Sequence, residues 1–130
     1  MLSVVVLDAS ALLALLKCEA GAEIVEASLE QAVIGSVNLG EAAQIQYLYG
    51  WKRSDFETAI ALMEITIVPV SHKIAIDAAD FRELARKSGI SQADCLCLAL
   101  AKSRNAVALT ADRDWLKIAD IVGVNVQLIR

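Results

Sequence analysis

The sequence has only one proline and six glycines among its 130 residues, and it shows neither a low-complexity segment nor an internal repeat. This scarcity of chain-breaking residues argues against a linker and predicts a single domain over residues 1–130. A chain of this length buries roughly two-thirds of the surface that its unfolded form exposes. The composition agrees, because 57% of the residues are hydrophobic.

Basic residues, histidine and cysteine are also scarce. Lys and Arg total 12 against 16 Asp and Glu, a net charge of −4, which argues against a broad basic surface for nonspecific nucleic-acid binding. A polyanion remains a possible ligand if divalent cations lie between it and the protein. The three cysteines are an odd number and indicate reduced thiols rather than a disulfide framework.

Long apolar runs are missing as well. Asp8 and Lys17 interrupt the hydrophobic N-terminal stretch well before the ~20 residues that a bilayer-spanning helix needs. The first residues also lack the basic group that precedes the apolar part of a signal peptide. We therefore expect a cytoplasmic protein without a membrane segment.

Apolar strands alternate with helices along the chain. Strands are predicted at 3–7, 33–37, 66–71, 106–110 and 124–129, and helices at 9–17, 20–32, 38–49, 54–65, 73–89, 90–105 and 111–120. Strands that form unbroken apolar runs between helices are typical of a parallel sheet covered on both faces. The predicted fold is α/β, a three-layer α/β/α sandwich with a central, mostly parallel sheet. Pro69 predicts an edge position or a strand end for its segment.

Four acidic residues lie where such a sheet binds ligands, at the carboxyl ends of its strands. Asp8 ends the first strand, Glu41 and Asp94 lie in the first turns of helices, and Asp112 follows the strand VALT. Each has a structural explanation as well. Asp8 and Asp112 are candidate helix N-caps, Asp94 is half of a Ser91-x-x-Asp94 capping box, and Glu41 suits the positive end of a helix dipole.

The four carboxylates together favour a metal site. Carboxylates that share one edge repel one another and raise each other's pKa, so a positive charge is expected among them. Only Arg113 and Lys117 lie nearby in the sequence. An all-oxygen set without histidine or cysteine suits Mg²⁺ or Mn²⁺ rather than Zn²⁺. Such an ion orients and deprotonates a water and stabilises charge on a phosphoryl oxygen, which is the chemistry of a phosphodiesterase.

The segments VVLDASALLALL, SVNLGEAAQ, ISQADCLCLALA and VALTADRDW resemble the PIN-domain family, and in particular the VapC-type ribonuclease toxins of prokaryotic toxin–antitoxin pairs. The resemblance extends from Asp8 to Trp115. It implies that Asp8, Glu41, Asp94 and Asp112 are the acidic, catalytic metal ligands of a PIN-like domain.

The same resemblance implies supporting residues around the quartet. Ser10 matches the small hydroxyl residue after the first aspartate, and Thr110 matches the threonine of the T-x-D segment; both support the site through hydrogen bonds in the family. Asp114 is either a fifth carboxylate or an exposed surface residue. Asn38 either positions Glu41 or caps its helix, and we favour the cap.

The implied activity is that of a hydrolase, a Mg²⁺- or Mn²⁺-dependent endoribonuclease that cleaves RNA phosphodiester bonds. It differs from metal-free ribonucleases, which use the ribose 2′-hydroxyl with histidine as acid and base. The only histidine here, His72, is interpreted as structural. The resemblance further implies a cognate antitoxin protein, which often inserts a basic residue into the acidic pocket, and a homodimer.

Other classes of function compete with this interpretation. A von Willebrand A-like binding module has a D-x-S-x-S loop that begins like DASAL, but Leu12 replaces its second serine. A phosphoaspartate receiver needs an acidic pair and a late lysine, whereas Asp8 stands alone and no lysine ends VALT. A catalytically silent PIN-fold protein that acts through a partner also remains open.

Overall fold

In a computed structural model that describes residues 3–130, five parallel strands form one sheet in the order β3-β2-β1-β4-β5. Met1 and Leu2, which the predicted domain includes, lie outside the described residues. The strands are β1 (Val5–Leu7), β2 (Ala32–Gly35), β3 (Thr66–Val68), β4 (Val107–Thr110) and β5 (Asn125–Leu128). Every pairing is parallel, so the expected mostly parallel sheet is wholly parallel among these residues.

Helices cover both faces of the sheet. They are α1 (Ala9–Leu16), α2 (Ala22–Ala27), α3 (Ser36–Leu48), α4 (Arg53–Met63), α5 (His72–Leu84), α6 (Gln92–Ser103) and α7 (Trp115–Val122). Short 3-10 helices lie at Leu29–Gln31 and Arg86–Ser88. None of the helices in residues 3–130 is long and apolar enough to span a bilayer.

The core is divided by the sheet into two apolar layers. Val6 belongs to a cluster with side chains of α5, α6 and α7, while its neighbour Leu7 belongs to a cluster with α1, α2, α3 and α4. This alternation follows from the two-residue repeat of a strand, which sends successive side chains to opposite faces. The predicted three-layer α/β/α sandwich is therefore confirmed.

The order of the strands creates a natural binding site. The chain moves outward from β1 through β2 to β3, and then returns to the other side of β1 to form β4 and β5. The order in which strands are added thus reverses between β1 and β4, and ligands bind in the crevice at the carboxyl ends of such strands. β3 is an edge strand that ends just before Pro69, as the proline predicts.

Several predicted helix boundaries were wrong. The helix predicted at 73–89 ends at Leu84, because the Ser88 hydroxyl donates to the Ala85 carbonyl (2.6 Å) and a 3-10 turn follows up to the left-handed Gly89. The helix predicted at 20–32 covers only Ala22–Ala27 before its own 3-10 turn. β2 also starts and ends earlier than the predicted 33–37.

Candidate metal centre

Asp8 is the first residue after β1 and is 5% exposed. It is the N-cap of α1, because its Oδ1 accepts the backbone N–H of Ala11 at 2.8 Å. The same oxygen accepts the Ser10 hydroxyl at 2.7 Å, and Oδ2 accepts the Thr110 hydroxyl at 2.5 Å. The cap interpretation is therefore correct, and it accounts for only one of the three hydrogen bonds.

The hydroxyls of Ser10 and Thr110 join β1 to the segment that follows β4. While donating to Asp8, Ser10 Oγ accepts the backbone N–H of Ala111 at 2.9 Å, and Thr110 Oγ1 accepts that of Asp112 at 3.0 Å. Each hydroxyl therefore uses its proton on the carboxylate and a lone pair on the backbone. This places both predicted supporting residues in contact with Asp8.

Glu41 is the sixth residue of α3 and is held by Asn38. Its predicted place in the first turn was wrong, because the helix starts at Ser36, two residues before the predicted start. The Asn38 amide is 2% exposed and donates to Glu41 Oε1 and to the carbonyl of Ala93, both at 3.2 Å. Asn38 thereby connects Glu41 to the beginning of α6. The favoured interpretation of Asn38 as a helix cap was wrong, because α3 starts at Ser36 and Gly35 occupies the cap position.

Asp94 is in the first turn of α6. Because α6 leads directly into β4, its N-terminus lies at the edge of the sheet where the strands have their carboxyl ends, which we call the carboxyl edge. Ser91 Oγ accepts the N–H of Asp94 at 3.1 Å, and the Asp94 carboxylate accepts the N–H of Ser91 at 3.5 Å. The predicted capping box is therefore present. The return bond is long, so the Asp94 carboxylate is held more loosely than that of Asp8.

Asp112 is a candidate N-cap by its sequence position, but the structure places Asp114 at the cap of α7. The Asp112 carboxylate accepts the N–H of Asp114 at 2.9 Å, and its own N–H is bound by Thr110, so the chain turns for several residues. The helix predicted at 111–120 consequently begins only at Trp115. Asp112 is exposed at the carboxyl edge.

Three of the four carboxylates have perturbed acidity. Burial raises the pKa of Asp8, Glu41 and Asp94 above their ordinary values, and hydrogen bonds from neighbouring donors only partly oppose this. The negative charge of Asp94 raises the pKa of both Asp8 and Glu41, and that of Asp112 raises the pKa of Asp94. The four predicted site residues therefore influence one another electrostatically across one edge of the sheet.

A thiol that sequence reasoning did not connect with the site lies among these carboxylates. Cys97 is completely buried on α6, and burial raises the pKa of its thiol well above the ordinary value. The charges of Asp8, Asp94 and Glu41 raise it further. The spacing from Asp94 to Cys97 on a helix is the only sequence signal that could have indicated this proximity.

Asp94 and Asp112 border a depression of about 80 Å³ that also contains Asp114, Trp115 and Ser88. The Asp114 side chain is 80% exposed and lies 3.5 Å from the Lys117 ammonium. Trp115 is 1% exposed, and its indole N–H has no hydrogen-bond partner among the described residues. We call the edge of the sheet that carries Asp8, Glu41, Asp94 and Asp112 the acidic edge. Nothing in the sequence pattern pointed to Ser88 or to Trp115 as its neighbours.

The donor chemistry suits a hard divalent cation, although the carboxylates do not form a closed cage. Within residues 3–130, no group of three or more Asp, Glu, His or Cys side chains is arranged to hold a metal ion directly. Mg²⁺ commonly retains several waters and binds through one or two carboxylates. An open arrangement of oxygen donors with raised pKa values therefore fits Mg²⁺ or Mn²⁺ better than Zn²⁺.

The chain belongs to the PIN-domain family, since the model of the PIN domain matches residues 5–121. The comparison with curated protein sequences gives no match. The resemblance found in the sequence is thus confirmed at the level of the family.

Several solved structures with the same fold are of VapBC or toxin–antitoxin complexes. VapBC-1 from nontypeable Haemophilus influenzae has a TM-score of 0.70 and 21% identity, over 97% of this chain and 98% of that one. A toxin–antitoxin complex from Klebsiella pneumoniae has a TM-score of 0.71 and 19% identity, over 97% and 98%. DNA-bound VapBC from Salmonella typhimurium has a TM-score of 0.69 and 19% identity, over 99% and 100%. Likeness at these identities establishes the shared fold.

Proposed function

We propose that this protein is a Mg²⁺- or Mn²⁺-dependent endoribonuclease that hydrolyses RNA phosphodiester bonds. The observation that carries the proposal is the group of four carboxylates at the carboxyl ends of β1 and β4, where burial first and the neighbouring carboxylates second raise the pKa of Asp8, Glu41 and Asp94. Their charges are not neutralised by a lysine or arginine in any ion pair of the described residues. A divalent cation is the counter-charge that this arrangement lacks.

Asp8, Glu41, Asp94 and Asp112 would hold the ion, directly or through its waters. When bound, it would supply an activated water and stabilise negative charge on the phosphoryl oxygens. Ser10 and Thr110 fix the orientation of Asp8, and Asn38 fixes that of Glu41. These hydrogen bonds keep the two carboxylates in place before substrate binds, which favours rapid in-line attack.

We further propose that the ribonuclease is the toxin of a toxin–antitoxin pair in the cytoplasm. The family and the shared fold with proteins of VapBC complexes support this assignment. A cognate antitoxin with a basic side chain would be attracted to the acidic edge and would compete with the metal and RNA there. A homodimer of the toxin is part of the same proposal.

One detail weakens the alternative of a von Willebrand A-like binding module. Leu12, at the place of that module's second serine, is 0% exposed and belongs to the apolar layer beneath α1. A side chain at this position is turned into the core and away from the edge that carries Asp8. A catalytically silent PIN-fold protein is the remaining alternative, and the following experiment distinguishes it.

The test is cleavage of a labelled RNA mixture by purified protein with Mg²⁺, with Mn²⁺ and with EDTA. Asp8→Asn is compared with Asp80→Asn, an exposed aspartate on α5 outside the acidic edge. Cleavage that needs the cation, survives Asp80→Asn and falls more than 100-fold in folded Asp8→Asn is the expected result, because loss of a supporting hydrogen bond alone costs roughly 10–100-fold. Equal cleavage by both variants, or none by the native chain with either cation, would reject the proposal.

A further inference from the structure

A second groove begins next to the acidic edge, on the side of α7. It has a volume of about 290 Å³ and is formed by the end of α5, the 3-10 turn that follows it and one residue of α7. We call it the basic groove and define it by Glu83, Leu84, Arg86, Lys87, Ser88 and Ile121. None of these residues has a role in the proposed metal site.

The basic groove is continuous with the acidic edge through Ser88. This residue lines the basic groove and also the depression that contains Asp94 and Asp112. Its hydroxyl donates to the carbonyl of Ala85 at 2.6 Å and accepts the N–H of Ile90 at 3.3 Å. These local bonds fix the turn, so the boundary between the two depressions has a defined shape.

The charge of the groove is opposite to that of the acidic edge. Arg86 and Lys87 are exposed on adjacent positions of the turn, in a chain whose net charge is −4. Arg86 contacts Glu83 at 3.7 Å, with both side chains at least 70% exposed, and such a pair contributes little. Arg86 is therefore free to exchange Glu83 for an external anion, and Lys87 forms no ion pair within residues 3–130.

The groove also presents apolar surface. Leu84 is 61% exposed and Ile121 is 51% exposed, and both line the same depression as the two cations. Proteins that bind single-stranded nucleic acid combine a positive groove, which follows the phosphates, with side chains that pack against the bases, most often aromatic ones. In this groove the aliphatic Leu84 and Ile121 are the only large apolar side chains among the lining residues. A single RNA strand has both kinds of surface, which matches this combination of side chains.

We propose that the basic groove is a second RNA-binding subsite, which holds the nucleotides on one side of the scissile bond. Arg86 and Lys87 contact their backbone phosphates, and Leu84 and Ile121 contact a ribose or base. The subsite rests on the proposed ribonuclease function. It defines the path of the RNA across the protein surface, from the carboxylates past Ser88 to α7. It also explains how a protein with a net negative charge could bind an anionic RNA, since Arg86 and Lys87 attract the phosphates locally.

The test measures binding of a fluorescein-labelled single-stranded RNA by anisotropy, in an Asp8→Asn background that prevents cleavage. Arg86→Ala/Lys87→Ala is compared with Lys52→Ala/Arg53→Ala, two adjacent exposed cations at the start of α4. The control is closely matched, because Arg53 contacts Glu57 at 3.8 Å as Arg86 contacts Glu83. Circular dichroism verifies that every variant is folded.

The groove pair should weaken binding on the order of tenfold and reduce the slope of log Kd against log salt by about 1.4, for two lost phosphate contacts. The control pair should change Kd by less than about twofold. Glu83→Gln, which frees Arg86, should tighten binding. Equal effects of the two cation pairs, or no effect of the groove pair, would overturn the subsite.

The outcome is separable from that of the cleavage assay on the native chain. Cleavage by the native chain with unchanged binding in the groove variant would reject the subsite and leave the ribonuclease proposal intact. If the native chain did not cleave RNA but the groove variant bound RNA more weakly, the RNA-binding subsite would be supported and the ribonuclease activity would be rejected. An RNA that does not bind the background protein at all would reject the subsite.

Discussion

Asp8 and Asp112 follow neighbouring strands of the same sheet, yet their carboxylates are held very differently. Asp8 is 5% exposed and accepts hydrogen bonds from two hydroxyls and one backbone N–H. Asp112 is exposed, and within residues 3–130 its carboxylate accepts a hydrogen bond only from the N–H of Asp114 in its own turn. The Asp8 carboxylate is therefore held in place before any ligand binds, while the Asp112 carboxylate can still change its orientation.

This difference suits a site in which carboxylates that repel one another together bind a cation. If all four were held as rigidly as Asp8, their charges would be forced together in the metal-free protein at a large electrostatic cost. A fixed Asp8 with looser partners avoids that cost and still defines where the ion binds. The open arrangement, with no closed cluster of ligands in residues 3–130, agrees with this interpretation.

Among the substitutions around these two carboxylates, loss of the hydroxyl that fixes Asp8 should lower activity the most. Thr110→Val deletes the hydroxyl that donates to Asp8 Oδ2 and accepts the N–H of Asp112, so it releases both halves of the site. We expect activity and Mn²⁺ affinity to fall roughly 10–100-fold. The free energy of unfolding should fall by about 1–3 kcal/mol, because a buried oxygen loses its donor.

The control for this substitution is Thr66→Val, an exposed threonine in β3. It keeps the side-chain shape and lies in a strand, but it is remote from the β1–β4 junction. Chemical denaturation and Mn²⁺ titration should show little change. If Thr110→Val lowered stability while activity and Mn²⁺ affinity stayed normal, the fixed orientation of Asp8 would be irrelevant to function.

The raised pKa values predict how pH changes the stability of the metal-free protein. Asp8, Glu41 and Asp94 bind protons more tightly when folded than when unfolded, where their pKa values are near the ordinary 3.8 and 4.5. The free energy of unfolding should therefore decrease as pH rises from about 4 through the raised pKa values. Asp8→Asn should flatten this decrease, as measured by thermal melts in EDTA.

Divalent cations should oppose that decrease at neutral pH. Mg²⁺ at ten times its Kd adds about 1.4 kcal/mol, which raises Tm by roughly 3–6 °C. The increase should vanish near pH 4, where protonated carboxylates no longer bind the ion. An equal Mg²⁺ effect at both pH values, or in Asp8→Asn, would show that the ion binds elsewhere.

The smallest effect is expected at Asp114. Its side chain is 80% exposed and contacts Lys117, and only its backbone N–H is bound to Asp112. Asp114→Asn preserves that backbone contact, so cleavage should fall by less than about threefold under saturating Mg²⁺. A loss comparable with that of Thr110→Val would instead identify Asp114 as a fifth ligand, and kcat measurements over a range of Mg²⁺ concentrations distinguish the two.

The architecture was predictable from the sequence because apolar strands and amphipathic helices follow simple periodic rules. Asp8 was predictable as well, since a carboxylate at the end of a buried strand is unusual. The role of Asn38 was not predictable, because whether it caps α3 or binds Glu41 depends on where that helix starts. β2 already ends at Gly35, so α3 starts at Ser36, before Asn38. Two helix boundaries shifted where a nearby side chain bonds the backbone, at Ser88 after α5 and at Asp112 before α7.

The contacts that build the site, by contrast, depend on partners that are distant in the sequence. Thr110 bonds Asp8 across 102 positions, and this contact accompanies the turn that delays α7. The basic groove likewise requires the turn after α5 to meet Ile121, which no local pattern indicates. Local propensity therefore predicts elements, while the site depends on how the sheet brings their ends together.

The most direct test of a shared metal site uses Trp115, which lies in the depression with Asp94 and Asp112. In a Trp51→Phe background, Mn²⁺ should quench Trp115 fluorescence saturably, and Mg²⁺ should reverse the quenching. Asp8→Asn and Asp112→Asn should each abolish the saturable phase, although they lie after different strands, whereas Asp80→Asn should not. Quenching that persists unchanged in either of the first two variants would contradict a single site built from both halves of the edge.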